Sequence, residues 1–190
     1  MLEKDRFLEN LKKILIILFI LFVTKEAVTT EIKSEIKNYN NKLKNTSALF
    51  IQTDGTTIEE GIIYIGSERI KIDYTQPKNI TLVLSEKKGM YINHELQETQ
   101  YFNSKKSVVS VLFKIINGDS FFTNSAIKEF KDTVTINNIF EINEINYYVE
   151  AIYEIYPIKL RKIKIKENNQ NIEIGFFNHS SSENKDKSFY

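Results

Sequence analysis

The sequence predicts a mainly β domain with a few helices, in which an antiparallel meander has one apolar face. From Ser47 onward, β-rich segments follow one another at intervals too short for crossover helices, so neighbouring strands must run antiparallel. Apolar and charged side chains alternate along residues 69–74, Arg-Ile-Lys-Ile-Asp-Tyr. This period of two is typical of a strand with one buried and one solvated face.

Length and composition limit the classes of function. The 190 residues fit one domain, and the absence of Cys excludes disulfides, thiolate metal sites and cysteine nucleophiles. Only His94 and His179 are present, which excludes a histidine-rich metal site, and we expect both to be exposed rather than catalytic. The 26 basic and 25 acidic side chains give a formal net charge of +1, which provides no overall field to attract nucleic acid.

An enzyme would need a base or metal constellation that the sequence does not indicate. Glu59 and Glu60 are adjacent, so in a strand they point to opposite faces and cannot act as an acid/base pair. There is no Gly-rich phosphate loop. We therefore expect no enzymatic activity and no cofactor.

The first segment of the chain predicts export. Residues 14–23 form an uncharged apolar run that follows Lys12 and Lys13. Ten helical residues rise only ~15 Å, about half the hydrocarbon core of a bilayer, so the run suits a signal peptide better than a spanning helix. We assign residues 1–27 to a signal peptide, residues 28–190 to a single domain and the mature protein to the periplasm. An uncleaved inner-membrane anchor is the alternative, because Lys25 fits poorly before a cleavage site at Ala27.

The remaining elements follow from period and turn residues. Between residues 28 and 44, Ile32, Ile36, Tyr39 and Leu43 form one stripe of an amphipathic helix. Residues 108–115 repeat this pattern before Asn117-Gly118, and residues 120–130 suggest another short helix. The predicted strands are 48–53, 57–65, 69–74, 80–85, 89–93, 97–102, 133–142, 147–155, 158–166 and 172–178.

A sheet with one apolar face needs a cover, and three short helices are the only candidates. Against roughly ten strands, they could leave part of the concave face uncovered. Two outcomes remain open from the pattern: a fully packed core, or a hydrophobic cavity for an apolar ligand.

Several motifs resemble the periplasmic lipoprotein-carrier family, LolA. They are Ala48-Leu-Phe-Ile-Gln-Thr, Gly61-Ile-Ile-Tyr-Ile, Arg69-Ile-Lys-Ile-Asp-Tyr-Thr-Gln-Pro, Met90-Tyr-Ile-Asn-His-Glu-Leu and Pro157-Ile-Lys-Leu-Arg. They occur in the family's order between about residues 43 and 178.

The resemblance implies an incomplete, half-open antiparallel β-barrel covered by a helical lid. Its hydrophobic cavity would bind the acyl chains of lipoproteins and carry them from the inner to the outer membrane. The implied partners are acylated lipoproteins and an inner-membrane ABC transporter that releases them, with an outer-membrane receptor left open. We expect a monomer that binds no nucleic acid.

The candidate cavity residues combine those at family positions with apolar residues of neighbouring strands and the predicted lid. They are Phe50, Ile70, Ile72, Tyr74, Leu82, Leu84, Met90, Ile92, Val111 and Leu112. Some family members latch the lid with an Arg where this chain has Gly66, and Arg69 is the candidate replacement, although a solvated strand residue is the alternative. Two other classes of function stay open: a membrane-anchored interaction module and another apolar-ligand binder of the same fold.

Overall fold

The computed structural model describes residues 31–117 and 119–181. The predicted signal peptide lies outside the described residues. The chain divides into two units after Ile36, and the second, which starts at Lys37, contains all the strands of the described residues. No helix in the described part of the chain is long and apolar enough to cross a membrane.

The described residues form eleven strands and a small number of helical segments. The strands are β1 (Thr46–Thr53), β2 (Ile58–Ile65), β3 (Arg69–Gln76), β4 (Ile80–Ser85), β5 (Gly89–Asn93), β6 (Glu98–Phe102), β7 (Ala126–Glu129), β8 (Thr133–Ile142), β9 (Ile145–Ile155), β10 (Ile158–Glu167) and β11 (Gln170–Ser181). The helices are α1, described over residues 31–42, a 3₁₀ turn (Ser104–Lys106), α2 (Ser110–Asn117) and α3 (Asp119–Phe122).

All eleven strands belong to one open antiparallel sheet, in the order β6-β5-β4-β3-β2-β1-β11-β10-β9-β8-β7. Two meanders, β1 to β6 and β7 to β11, are joined by the pairing of β1 with β11. The two edges, β6 and β7, are consecutive in the chain, so the helical segment between them connects the edges. The predicted fold class, an incomplete antiparallel barrel with helices, is confirmed.

The helix predicted over residues 120–130 is present only as the short α3, and the prediction is wrong for the rest of the segment. Helix α3 ends at Phe122, Asn124 has a positive φ of 56°, and Ala126–Glu129 pairs with β8 as an edge strand. The side chain of Asn138 caps this end, because its Nδ2 donates to the carbonyls of Phe121 at 2.8 Å and Thr123 at 3.0 Å. These bonds satisfy carbonyls that the end of a helix leaves without an intrahelical partner.

The register defines the inner face of the sheet as the face that bears Phe50, Ile63 and Ile72. Ile72 lies opposite Ile63 of β2, and Phe50 lies opposite Phe176 of β11. Across β8, β9 and β10 the same face carries the packed core, whose fully buried members include Val134, Ile136, Val149, Ala151, Tyr153 and Ile163.

Gly61 allows two aromatic rings to meet on the inner face. It lies opposite Phe50 of β1 and Tyr74 of β3, whose rings meet edge to face with centroids 5.2 Å apart. A Cβ at Gly61 would lie 2.0 Å from the Asp73 carbonyl oxygen and 2.8 Å from the Phe50 ring. A side chain at this position would therefore displace backbone.

We predict that Gly61→Ala lowers the free energy of unfolding by roughly 1–3 kcal/mol, because the added methyl overpacks a backbone contact. Gly175→Ala is the matched control, since a Cβ there meets only the Ile51 carbonyl oxygen at 3.9 Å. Urea unfolding of the control should stay within about 0.5 kcal/mol of the parent protein. Equal stability of the two variants would contradict the prediction.

Candidate functional site

An apolar cavity of about 100 Å³ lies between the inner face of the sheet and the start of α2. Apart from Gln52 and Tyr74, its lining is hydrocarbon. The lining residues are Phe50, Gln52, Ile63, Ile72, Tyr74, Val108, Val109, Leu112, Ile165, Ile172, Ile174 and Phe176. Such a surface binds through buried area, without directional bonds.

Sequence-distant strands build the cavity. Ile63 and Ile72 come from the first meander, while Ile172, Ile174 and Phe176 come from β11. The β1–β11 pairing places Gln52 opposite Ile174 and so joins the two walls. The segment 108–112, at the start of α2, provides the roof.

The cavity is small for a ligand site. Pockets for small molecules usually measure roughly 300–1,000 Å³, several times the volume here. The roof segment must therefore move before a long chain can enter, since the other walls belong to the hydrogen-bonded sheet.

Four of the ten predicted cavity residues, Phe50, Ile72, Tyr74 and Leu112, line this cavity. Ile70, Leu84 and Val111 are fully buried and belong to the packed core outside the lining. Leu82 lies on the inner face opposite Ile72, half-buried and also outside the lining.

Met90 and Ile92 do not face the cavity, and their assignment to it is corrected here. Met90 lies opposite Val83, and Ile92 lies opposite Thr81, so both point to the outer face of the sheet. The inner face of β5 instead carries Tyr91, which lies opposite Leu82. Successive side chains of a strand point to opposite faces, so Met90 and Ile92, the neighbours of Tyr91, cannot share its face.

Sequence reasoning missed eight of the twelve lining residues, although two of them, Gln52 and Ile63, lie within the family-like motifs. The other six are Val108, Val109, Ile165, Ile172, Ile174 and Phe176. The alternation of Ile172, Ile174 and Phe176 along β11 was a usable signal for an inner face. The pairing of β1 with β11, which brings these residues close to Phe50, is not indicated by the local sequence pattern.

The two polar lining residues meet at one place. The Tyr74 hydroxyl donates to Gln52 Oε1 at 3.3 Å, and Gln52 Nε2 donates to Glu59 Oε2 at 2.8 Å. Burial, with a smaller contribution from the Glu59 charge, raises the pKa of Tyr74 to about 12, against the opposing effect of the Gln52 hydrogen bond. We call Gln52, Glu59 and Tyr74 the polar trio.

A buried asparagine ties the far end of α2 to the sheet. Asn40 Nδ2 donates to the Ile115 carbonyl at 2.7 Å and to the Tyr153 hydroxyl at 3.1 Å, and Asn40 is only 2% exposed. Nearby, the Tyr39 hydroxyl accepts from the Leu160 backbone N–H at 3.1 Å. Residues 39 and 40 thus fasten one end of the roof.

The segment before the roof is fastened as well. The Ser104 hydroxyl, fully buried, donates to the Ser85 carbonyl at 2.6 Å, and Asn143 Nδ2 donates to the Lys106 carbonyl at 2.9 Å. The roof segment 108–112 is therefore a strap held at both ends. The Asn143 bond is exposed to water, so it is the weaker of these fastenings.

Arg69 is not part of this arrangement. Its side chain is exposed, and within the described residues it makes no hydrogen bond or ion pair with a helix. The predicted latch is corrected accordingly. Arg69 lies on the outer face next to the β2–β3 turn, where its length reaches water rather than α2, and Asn40 performs the fastening instead.

The two histidines occupy different surroundings. His94 is exposed, and its Nε2 lies 2.9 Å from the Thr81 hydroxyl, which donates to Asp73 Oδ1 at 2.7 Å. His179 is half-buried within β11, contrary to the expected exposure, and burial is the main cause that lowers its pKa. Among the described residues, no three His, Asp or Glu side chains are close enough to hold a metal ion.

Comparisons with known proteins bear on the fold alone. No family model and no curated protein matches the chain. A solved structure of an uncharacterized conserved protein from Thermus thermophilus superposes with a TM-score of 0.54 and 6% identity, over 85% of this chain and 92% of that chain. The similarity supports the open sheet with its helical segment.

Two weaker similarities were found. A DUF1329 family protein from Desulfovibrio piger gives a TM-score of 0.42 at 8% identity, over 84% of this chain and 96% of that chain. PNGF-II gives 0.39 at 7% identity, over 76% of this chain but 29% of that chain.

We predict that Asn40→Ala speeds amide hydrogen exchange in α2 more than in β9. Losing a buried hydrogen bond of ~1–3 kcal/mol corresponds to an acceleration of about 5- to 150-fold at amides that exchange by local opening. Asn146→Ala, at an exposed position in β9, is the control and should leave α2 unchanged. Unchanged α2 protection in Asn40→Ala would show that this side chain does not fasten the strap.

We predict a loss of stability in alkali that depends on Tyr74. Unfolded tyrosine ionises near pH 10, whereas folded Tyr74 keeps its proton to about pH 12, so the free energy of unfolding falls as pH rises between these values. In Tyr74→Phe the decline between pH 10 and 11 should be shallower by up to ~1.4 kcal/mol per pH unit. Urea unfolding at pH 9, 10 and 11 checks this, and parallel curves would contradict the raised pKa.

Proposed function

We propose that this protein is a periplasmic carrier that holds the acyl chains of lipoproteins and moves them from the inner to the outer membrane. The observation that carries the proposal is the hydrocarbon-lined cavity beneath a strap fastened at both ends. The motif resemblance to lipoprotein carriers supports the choice of lipoproteins among apolar ligands.

The energetics of transfer explain why such a cavity is needed. Exposing an acyl chain to water costs ~0.8 kcal/mol per methylene, on the order of 12 kcal/mol for a chain of about 15 methylenes. A carrier must therefore offset this free-energy cost by giving the acyl chain apolar contacts. Side chains such as Ile63, Ile72 and Ile174 provide it without bonds that would hinder release.

Loading would require the strap to lift. The cavity is too small for a long chain while the segment 108–112 covers it, and the exposed Asn143–Lys106 bond is the fastening that costs least to break. Opening at that end, with the Ser104–Ser85 bond broken as well, would let the chain displace Val108, Val109 and Leu112 while Asn40 holds the other end. Release would reverse the movement.

The proposal includes partners. Extraction of a lipidated protein from a bilayer is uphill, and this chain has no nucleotide-binding motif of its own, so the donor would be an energised inner-membrane ABC transporter. The acceptor would be the outer membrane or a receptor on it. The carrier would act as a monomer and without a catalytic step.

We predict that charge in the lining weakens acyl-chain binding. Ile172→Glu and Val109→Glu each place a carboxylate at a half-buried lining position, where desolvation opposes entry of a hydrocarbon chain. Displacement of a neutral fluorescent probe by a triacylated lipopeptide should weaken at least about tenfold, equivalent to 1.4 kcal/mol. Thermal unfolding identifies variants that are merely misfolded.

The control is Ile139→Glu, on the outer face of β8 opposite Tyr148 and 54% exposed, which should bind as the parent protein does. The same peptide without acyl chains should displace nothing. Failure of the folded parent protein to bind the lipopeptide would reject the carrier and favour an interaction module with a filled inner face.

A further inference from the structure

The polarity of the cavity is confined to one spot. Gln52 and Tyr74 are the polar members of the lining, and they are hydrogen-bonded to each other. Glu59 lies directly opposite Gln52 in the β1–β2 register and so shares the inner face with it. A ligand whose chain fills the cavity would thus meet a polar group at one defined end.

The hydrogen bonds already made leave mainly acceptors at that end. The Tyr74 hydroxyl uses its proton on Gln52 Oε1, and Gln52 uses one of its two amide protons on Glu59 Oε2. Glu59 Oε1 and the lone pairs of the Tyr74 oxygen are unused by the other hydrogen bonds of the described residues. Acceptors in excess favour a ligand that brings donors.

The carboxylate of Glu59 keeps its charge available to a ligand. No ion pair within the part of the chain that the structure describes neutralises it, and its hydrogen bond to Gln52 is with a neutral amide. Glu59 is not itself a lining residue, but its carboxylate accepts a hydrogen bond from the lining residue Gln52. A negative charge beside an apolar cavity attracts a cationic or N–H group and repels an anionic head group, more strongly than in water.

We propose that the polar trio is a head-group subsite that selects amphiphiles with an N–H donor, ammonium or amide, over those with a carboxylate or phosphate. This rests on the proposed function, because it assumes that the chain lies in the cavity. In a lipoprotein, acyl chains meet N–H groups at the lipidated residue. The subsite therefore separates lipoproteins from free fatty acids of the same chain length.

The test compares ligands of one chain length at neutral pH and below their micelle concentrations. Decylammonium, N-decylacetamide, decanol and decanoate each displace a neutral fluorescent probe. The parent protein should bind decylammonium at least about tenfold more tightly than decanoate, equivalent to 1.4 kcal/mol. N-decylacetamide, which offers an uncharged N–H, should also bind more tightly than decanoate.

Glu59→Gln removes the charge and keeps the shape, so it should reduce the preference for ammonium to about twofold or less, under 0.5 kcal/mol. Glu60→Gln is the matched control, because Glu60 is exposed on the opposite face of the same strand, across from Ile51. It should retain the full preference. This comparison holds overall charge constant between the two variants.

The outcomes distinguish failure of the head-group subsite from failure of the proposed acyl-chain carrier. Binding of decanol without discrimination among head groups would leave the carrier in place and overturn the subsite. A preference for ammonium that survives in Glu59→Gln would also overturn it. No binding of the neutral probe or of decanol would reject the cavity function itself.

Discussion

The pairing of β1 with β11 is the constraint on which the rest of this structure depends. It joins two meanders that would otherwise be separate sheets, and it places Phe50 opposite Phe176 and Gln52 opposite Ile174. Because this pairing sits at the centre, the free edges are β6 and β7, consecutive strands whose connection carries α2 and α3. The strand order therefore makes this connection run from one edge to the other, and the segment 108–112 lies against the apolar inner face.

The sheet side of the cavity and the segment that covers it are held by different kinds of interaction. The sheet side is held by backbone hydrogen bonds along every strand, whereas the covering segment 108–112 is held by the burial of Val111 and Leu112 and by side-chain bonds near its ends. Asn40 fastens one end in a buried site, while the buried Ser104 and the exposed Asn143 fasten the other. Local stability of this kind differs across a structure, and regions that must move are drawn from its weaker parts.

The sequence allowed the strand pattern to be predicted but left the faces of individual strands uncertain. Alternation along 69–74 identified the inner face of β3 because charged residues mark its outer side. In β5 the apolar Met90 and Ile92 suggested an inward direction, yet Gly89 lies inward and leaves the space that the Phe102 ring occupies. A glycine gives no hydrophobic signal in a sequence pattern. Only the register with β4, in which Gly89 lies opposite Leu84, shows that this position belongs to the inner face.

Contacts between segments that are distant in sequence explain why other features were not predicted. The family-like motifs identified Phe50, Ile72 and Tyr74, while the opposite wall on β10 and β11 depends on a contact over more than a hundred residues. Asn40 gave no sign of a fastening role, because an asparagine in a polar helix pattern resembles a solvated residue. The short strand β7 was hidden for a related reason, since the side chain that caps α3, Asn138, and the pairing partner of β7 both lie on β8.

The most direct measurement of the central claim is an NMR experiment on deuterated protein with labelled isoleucine methyl groups, loaded with a protonated triacylated lipopeptide. If an acyl chain occupies this cavity, its methylene protons should give intermolecular NOEs to the methyls of Ile63, Ile72 and Ile174, and none to Ile92 or Ile139 on the outer face. NOEs to the outer-face methyls alone, or a spectrum unchanged by the lipopeptide, would contradict the account.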